Sequence, residues 1–149
     1  MSSDELSQAE ADSLLAMEKH RISDVRLLLP DLGGKLSVEL QSVDKRERFY
    51  LDTNRSSIKL TKFTVQTRAR VITILARLDV DGAPHRNPDD VEVPCPHLHL
   101  YRQGYGDKWA YPATIEHFRN LSNRWVTLKD FMRYCHITKP PDFERGLFS

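Results

Sequence analysis

Reactive polar side chains alternate with leucines along residues 95–101, within the run Pro-Cys-Pro-His-Leu-His-Leu-Tyr-Arg. A period of two is the pattern of a β-strand with one buried face, because successive side chains of a strand point to opposite faces. The two leucines would face the core, and the opposite face would carry Cys95, His97, His99 and Tyr101. This segment therefore predicts a sheet with a candidate site on its polar face.

Cations dominate a second stretch, residues 53–78, which contains no acidic residue. Its cations are Arg55, Lys59, Lys62, Arg68, Arg70 and Arg77. The whole chain is close to neutral, with 22 Lys and Arg against 21 Asp and Glu, so an electropositive surface has to be local. Taken alone, such a run is more often a solvated sheet face, but its lack of acidic partners favours a surface that binds a polyanion or an acidic protein.

Periodicity divides the chain into a helical start and a long strand-forming region. A helix is predicted over residues 6–21, where Ser7 and Glu10 form a capping-box pair. From residue 35 the apolar period changes to two, which predicts a hairpin around the charged turn at 44–48. A further stretch with strong strand propensity runs from residue 58 to residue 80.

The last third of the chain has a helical pattern. We expect one helix from Thr114 to about Leu121 and a second that opens at Thr127. Pro140 and Pro141 would end the second helix, because proline cannot continue a helix.

These patterns predict a single α+β domain, and the length of 149 residues is about the modal size of one domain. The predicted architecture is a curled, mainly antiparallel sheet of five or six strands with one N-terminal helix and two C-terminal helices. Its predicted parts are the N-terminal helical segment 1–30, the sheet 35–112, the helices 113–138 and a loosely ordered tail 139–149.

Cysteine spacing and hydropathy indicate the cellular compartment. Cys95 and Cys135 lie 40 residues apart without CxxC spacing, and the opening Met-Ser-Ser-Asp-Glu-Leu does not resemble a signal peptide. The apolar runs are all much shorter than the ~20 residues that span a bilayer. We therefore expect a cytoplasmic protein with reduced thiols and no membrane insertion.

Two histidines on one strand face suggest a nuclease. Their Cβ atoms would be roughly 6.5–7 Å apart, a separation that can bracket a phosphate. A metal-independent ribonuclease needs a base, an acid and cations for the phosphorane, and a turn at residues 104–107 would fold Lys108 back toward the histidines. The candidate catalytic residues are His97, His99, His85 and Lys108. The candidate cations for a nucleic acid, with RNA favoured and no cofactor required, are Lys62, Arg68, Arg70, Arg77 and Arg102.

Three alternatives share the same residues. The first is a non-enzymatic binding protein, of antitoxin or anti-defence type, that acts through the basic face. The second is a zinc or other metal site, for which the candidate ligands are His97, His99, His85 and Cys95. The CxHxH spacing differs from the CxxC knuckles of structural zinc sites and is closer to the histidine dyads of cupin-like barrels. The third is a half-buried polar face whose histidines only hydrogen-bond to their neighbours.

Several short motifs between residues 49 and 112 carry a resemblance to a known family. They are Phe-Tyr-Leu-Asp at 49–52, Arg-Leu-Asp at 77–79, Gly82, His-Arg-Asn-Pro-Asp at 85–89, Pro-His-Leu-His-Leu-Tyr at 96–101 and Gly-Asp-Lys-Trp-Ala at 106–110. Together they resemble a family of small bacterial proteins of unknown function that are often found in prophage or mobile regions. The resemblance implies no activity. It implies a bacterial cytosolic protein and makes a role in phage–host or toxin–antitoxin conflict plausible.

Overall fold

An eight-stranded sheet organises residues 5–144, the part of the chain that this computed structural model describes. The helices are α1 (Gln8–Ala16) and α2 (Arg124–Tyr134). The strands are β1 (Lys19–Arg21), β2 (Leu27–Leu28), β3 (Lys35–Ser42), β4 (Arg48–Arg55), β5 (Phe63–Ala69), β6 (Thr73–Val80), β7 (His85–Arg86), β8 (Glu92–Val93), β9 (His97–Arg102), β10 (Gly106–Pro112), β11 (Ile137–Lys139) and β12 (Phe143–Glu144).

The strand order of the main sheet is β10-β9-β6-β5-β4-β3-β1-β11. Its pairings are antiparallel except for the parallel pair β1 and β11. The strands β6 and β9 follow one another in the main sheet, and residues 81–96, which contain β7 and β8, connect them. The remaining short strands form two separate pairs, β2 with β12 and β7 with β8.

Alternation along the strands gives the sheet two different faces. One face is apolar and packs with α1 and α2 into a core in which Phe49, Val65, Leu78 and Phe131 are fully buried. The other face is polar, and we call it the polar face. It carries Asp52, Gln66, Arg68, Arg77, Asp79, His97 and His99 on four adjacent strands.

The predicted fold class is confirmed, because the chain is α+β with a mainly antiparallel sheet, but the predicted number of strands is wrong. The main sheet has eight strands rather than five or six. Periodicity does not mark the three-residue strands β1 and β11, and it does not mark the β5–β6 turn. That turn contains Arg70 and Val71 at φ 52° and 68°, which neither residue type favours, so its sequence lacks the usual Gly or Asn signal.

The prediction of two C-terminal helices is also wrong, since α2 is the single helix among the described residues after 112. The segment 114–121 forms turns instead. Asp130, a fully buried residue of α2, accepts the backbone N–H of Arg119 and its guanidinium, at 3.0 Å and 2.7 Å. The backbone N–H of Arg119, which a helix over residues 114–121 would use within itself, is therefore bonded to the side chain of Asp130. In addition, α2 begins at Arg124, with Asn123 as its N-cap, rather than at Thr127.

Both chain ends differ from the helical start and loose tail that were predicted. The capping box of Ser7 and Glu10 is confirmed, but α1 ends at Ala16 because Lys19 to Arg21 pairs with β3 and β11. In the predicted tail, Phe143 is buried and pairs with Leu27; residues 145–149 lie outside the described part. Neither helix among the described residues is long or apolar enough to cross a membrane.

A buried lysine joins the C-terminal ends of both helices. Lys19 is fully buried, and its Nζ donates to the carbonyl oxygens of Leu15, Met17 and Cys135 at 2.8–2.9 Å. Carbonyls at a helix C-terminus have no partner within the helix, and a cation there is favoured by the helix dipole. Burial lowers the pKa of Lys19 to about 8. The three carbonyls are the groups that compensate the burial of its charge.

We expect Lys19→Met to lower the free energy of unfolding by about 3 kcal/mol, because three buried carbonyls would lose a charged donor. Urea unfolding at pH 7 measures this, with the exposed α2 residue Lys129 changed to Met as the control, for which the loss should stay within about 0.5 kcal/mol. Equal losses for the two variants would contradict the role of Lys19.

Candidate functional site

A groove of about 780 Å³ lies on the polar face of the sheet. Residues of β3 to β6 line it, and the segment 81–96 adds Gly82, Ala83 and Cys95. The charged residues that line it are Lys35, Asp52, Lys62, Arg77 and Asp79. The groove is therefore polar and of mixed charge, and it is large enough for a small ligand or part of a polymer.

Three potential metal ligands meet beside this groove, and one of them, Asp79, lines it. His97 Nε2 and His99 Nε2 are each 3.1 Å from Oδ2 of Asp79, and the ligand atoms of all three residues lie within 4.8 Å of one another. The cross-strand register produces this meeting, because Asp79 of β6 pairs with His97 of β9. Both imidazoles are almost fully buried, at 2% and 1% exposure, whereas Asp79 reaches the groove.

Backbone carbonyls fix the tautomers of both rings. His97 Nδ1 is 3.2 Å from the carbonyl oxygen of Val93, and His99 Nδ1 is 2.8 Å from that of Asp107. A carbonyl oxygen can only accept, so Nδ1 of each ring carries a proton and donates it. In a neutral ring Nε2 then offers a lone pair. With both rings neutral, two lone pairs and one carboxylate oxygen face the same point, and with both rings protonated, each Nε2 donates to Oδ2 of Asp79.

Arg77 lies beside this group and is held by two carboxylates. Its Nη1 donates to Oδ2 of Asp107 at 2.6 Å, and its Nε is 3.4 Å from Oδ1 of Asp79. Its Nη2 is 3.1 Å from His99 Nε2, which is the contact expected if that nitrogen accepts. Burial raises the pKa of Asp79, but the hydrogen bond that His99 donates when its ring is an imidazolium and the charge of Arg77 outweigh burial and lower the pKa to about 2. Asp79 is therefore a carboxylate at neutral pH.

His85 joins the histidine pair, while the other predicted site residues differ in their placement. The His85 ring centroid is 4.6 Å from that of His99, and its Nε2 lies 2.7 Å from the carbonyl oxygen of Lys108. The predicted β9–β10 hairpin forms, but Lys108 meets the cluster through its carbonyl, and its side chain is exposed. Cys95 Sγ is 3.5 Å from His97 Nδ1. Tyr101 lies elsewhere and donates its hydroxyl to the carbonyl of Leu6.

Acidic residues on neighbouring strands neutralise much of the cationic run. Arg68 forms a bidentate pair with Asp52, with Nε–Oδ2 at 2.5 Å and Nη2–Oδ1 at 3.0 Å. Arg70 lies in the β5–β6 turn, outside the groove, and its guanidinium is 2.9 Å from the carboxylate of Glu47. The absence of acidic residues from residues 53–78 therefore does not leave these arginines without acidic partners, since both partners come from earlier in the chain.

The remaining two predicted cations differ in position. Lys62 is exposed and lines the groove. Arg102 stacks over the Trp109 ring at 4.2 Å on the β9–β10 hairpin, outside the groove. Lys62 and Arg77 are thus the predicted cations that face the groove, and Lys35, which the sequence analysis does not single out, is a third.

Sequence reasoning missed two acidic residues of the site, Asp79 and Asp107. Arg77 and Asp79 are two residues apart on one strand, so the sequence pattern places them on the same face. The histidine that pairs with Asp79, His97, comes 18 residues later on another strand. Asp107 stands in a register shift between Gly106 and Trp109. A shift of this kind changes the direction of a side chain in a way that sequence periodicity does not mark.

The chain belongs to a family of unknown function (DUF6978), whose family model matches residues 6–137. The resemblance drawn from the sequence is confirmed at this level, and the association with prophages stays a prediction. Neither a curated protein nor a solved structure matches the chain.

The pairing of Arg68 has a measurable consequence. Arg68→Met should lower the free energy of unfolding by about 2 kcal/mol, because the half-buried carboxylate of Asp52 loses its bidentate partner. The control, Arg70→Met, removes a more exposed pair and should cost less than about 1 kcal/mol. Urea unfolding at pH 7 compares them.

The same pair sets a pH dependence. Burial raises the pKa of Asp52, but hydrogen bonds from Arg68, Ser37 and Gln66 outweigh it and hold the pKa below its usual range. A lowered folded-state pKa stabilises the fold above the unfolded value of about 3.9, and this contribution is lost as the pH falls. The loss caused by Arg68→Met should therefore shrink below pH 4. Equal losses for Arg68→Met and Arg70→Met at pH 7 would contradict this account of the cationic run.

Proposed function

We propose that this member of the DUF6978 family binds a divalent transition metal through Asp79, His97 and His99 and uses it to hydrolyse a phosphate ester in the groove. One observation carries the proposal. Two imidazole Nε2 atoms converge on one carboxylate oxygen while both Nδ1 atoms are committed to backbone carbonyls. This is the usual environment of metal-ligating histidines, whose second ring nitrogen donates to a carbonyl or carboxylate.

The meeting point can be satisfied by protons or by a metal ion. If protons alone satisfied Asp79, both rings would be imidazolium. Two buried imidazolium ions and Arg77 would then face the carboxylates of Asp79 and Asp107, and the sum of these charges equals that of one divalent ion with two neutral rings. A single divalent ion satisfies all three ligand atoms, and both rings stay neutral.

The two distances between the Asp79 carboxylate and the histidine rings also fit a metal. Two ligands at ~2.1 Å from one ion are separated by about 3.0 Å at a right angle and about 3.4 Å at the tetrahedral angle. Asp79 Oδ2 is 3.1 Å from each histidine Nε2. Two histidines and one carboxylate occur as ligands of catalytic zinc and of non-haem iron, both with open positions. The ligand set therefore does not select between these ions.

The groove supports hydrolysis of an anionic substrate. A metal of this class lowers the pKa of a bound water to about 7 and stabilises charge on a phosphoryl oxygen. Asp79 lies both at the ligand cluster and in the groove wall, so a substrate in the groove can reach the ion. Lys35, Lys62 and Arg77 line the same groove and can pair with phosphate oxygens.

The metal-independent nuclease predicted from the sequence receives less support. Its acid and base would have to touch a ribose hydroxyl and a leaving oxygen, and both imidazoles are nearly inaccessible, at 2% and 1% exposure. Nuclease activity itself stays part of the proposal, with the histidines as metal ligands. A binding protein without activity is the alternative that the experiments below separate from it.

Metal binding is the first expected outcome. Isothermal titration of EDTA-treated protein with Zn²⁺ or Co²⁺ should give one ion per chain. Asp79→Asn and His99→Gln should each weaken binding at least 100-fold, because each removes a ligand. His85→Gln is the matched control, since His85 touches His99 without belonging to the ligand group, and its effect should be less than tenfold. Equal effects of all three changes, or no binding, would refute the site.

Hydrolysis is the second expected outcome. Labelled RNA, single- and double-stranded DNA and bis(p-nitrophenyl) phosphate would be incubated with the protein, with EDTA, and with EDTA followed by added metal. Activity should disappear with EDTA, return with the metal and be absent from Asp79→Asn, while Lys62→Ala should raise KM with little change in kcat. Cleavage that persists in EDTA would favour the metal-independent reaction. A metal-loaded protein that cleaves none of these substrates would favour a binding protein.

A further inference from the structure

A second cavity, of about 560 Å³, lies where the end of β4 meets the start of α2. Arg55 is the last residue of β4, and Arg124 is the first residue of α2. Both line this cavity, together with the polar residues Thr61, Asp81, Asn120, Ser122 and Asn123. It is separate from the metal cluster, since Asp79, His97 and His99 do not line it.

The two guanidinium groups line one cavity, and both are incompletely paired. Nε of Arg55 and Nε of Arg124 are both buried, and within residues 5–144 neither has a hydrogen-bond partner. Arg124 donates from Nη1 to the carbonyl of Pro30 at 2.7 Å, and neither arginine forms a salt bridge within residues 5–144. Burial lowers the pKa of Arg124, and the charge of Arg55 has a smaller effect in the same direction. Two like charges are therefore held together in a partly desolvated place.

The acidic residues nearby do not neutralise this pair. Asp81 lines the cavity, but its carboxylate is bonded to Lys59 at 2.8 Å and to the hydroxyl of Thr61. Asp31 is close enough to favour the charged form of Arg124, yet it forms no hydrogen bond with that side chain among the described contacts. Buried N–H donors without acceptors are rare in folded proteins, and an unobserved ion is one of their ordinary explanations.

We propose that Arg55 and Arg124 form a binding site for a phosphate group. The planar guanidinium fork suits the oxygens of phosphate, and an anion held between the two arginines would screen their like charges. The position adds to this, because the N-terminus of the 11-residue helix α2 contributes a positive dipole end. Phosphate is shared by free phosphate esters and by the end of a nucleic acid strand, and the arms of the test separate these sources.

The test measures phosphate binding in EDTA, so that the metal site cannot contribute. Inorganic phosphate would be titrated at constant ionic strength and followed by NMR and by the melting temperature. Wild type should bind one phosphate and melt at a higher temperature as phosphate rises. Arg55→Met and Arg124→Met should each weaken binding at least tenfold, whereas the exposed turn residue Arg46, changed to Met, should leave it unchanged.

Two further readouts complete the test. Without phosphate, Arg55→Met should melt at the wild-type temperature or above it, because it removes a repulsive charge. Arg124→Met also loses the hydrogen bond to the Pro30 carbonyl, so Arg55→Met is the variant that reports on phosphate binding without that loss. A 5′-phosphorylated oligonucleotide that binds more tightly than the same strand with a 5′-hydroxyl would identify a strand end as the ligand, and equal binding would identify a free phosphate ester. Absence of phosphate binding, or equal binding by Arg55→Met and Arg46→Met, would overturn the proposal, and neither result bears on the metal site.

Discussion

Two backbone carbonyls, those of Val93 and Asp107, determine what the buried histidines can do. Each accepts from a histidine Nδ1 and so turns Nε2 of that ring toward Asp79. Without these hydrogen bonds either ring could donate to the carboxylate as an ordinary neutral histidine. With them, a ring can donate to Asp79 only as an imidazolium, and a neutral ring presents an Nε2 lone pair that can hold a cation. The metal proposal rests on the second state.

The fold supplies the constraint through the β6–β9 pair and the long connection between its two strands. Pairing of β6 with β9 sets Asp79 opposite His97 and Arg77 opposite His99. The connecting segment 81–96 then supplies the Val93 carbonyl and part of the groove wall. The β9–β10 hairpin supplies the Asp107 carbonyl and, through its side chain, the partner of Arg77. Burial of the ligands and access to the groove are thus combined at one place.

Local periodicity was sufficient for much of the fold but not for the chemistry of the site. The alternation around His97 and His99 correctly predicted a strand with leucines in the core, and the capping box of Ser7 correctly predicted the start of α1. The partners of the charged side chains and of the histidines are set by the register between neighbouring strands, which periodicity does not encode. Asp52 neutralises Arg68 across the β4–β5 pair, and Asp79 meets the histidines across the β6–β9 pair.

The excess strands and the missing helix have the same origin. Lys19 to Arg21 becomes a strand because β3 and β11 lie on both sides of it. The segment 114–121 stays non-helical because Asp130 takes the backbone N–H of Arg119. In each case a tertiary contact overrides a local preference, which is the ordinary limit of propensity. The charge of the polar face cannot be predicted from local sequence for the same reason, since it depends on which strands become neighbours.

The protonation of the two imidazoles is the most direct test of this account. Long-range ¹H–¹⁵N NMR of the histidine rings, recorded near pH 7 in EDTA and then with one equivalent of Zn²⁺, reports the state of each nitrogen. The account predicts that Nδ1 of His97 and His99 is protonated in both samples and that zinc changes the Nε2 resonances of these two rings, while the Nε2 resonance of His117 stays unchanged. Protonated Nε2 atoms that persist in both rings with zinc present would contradict it and would identify the cluster as a structural ion-pair network.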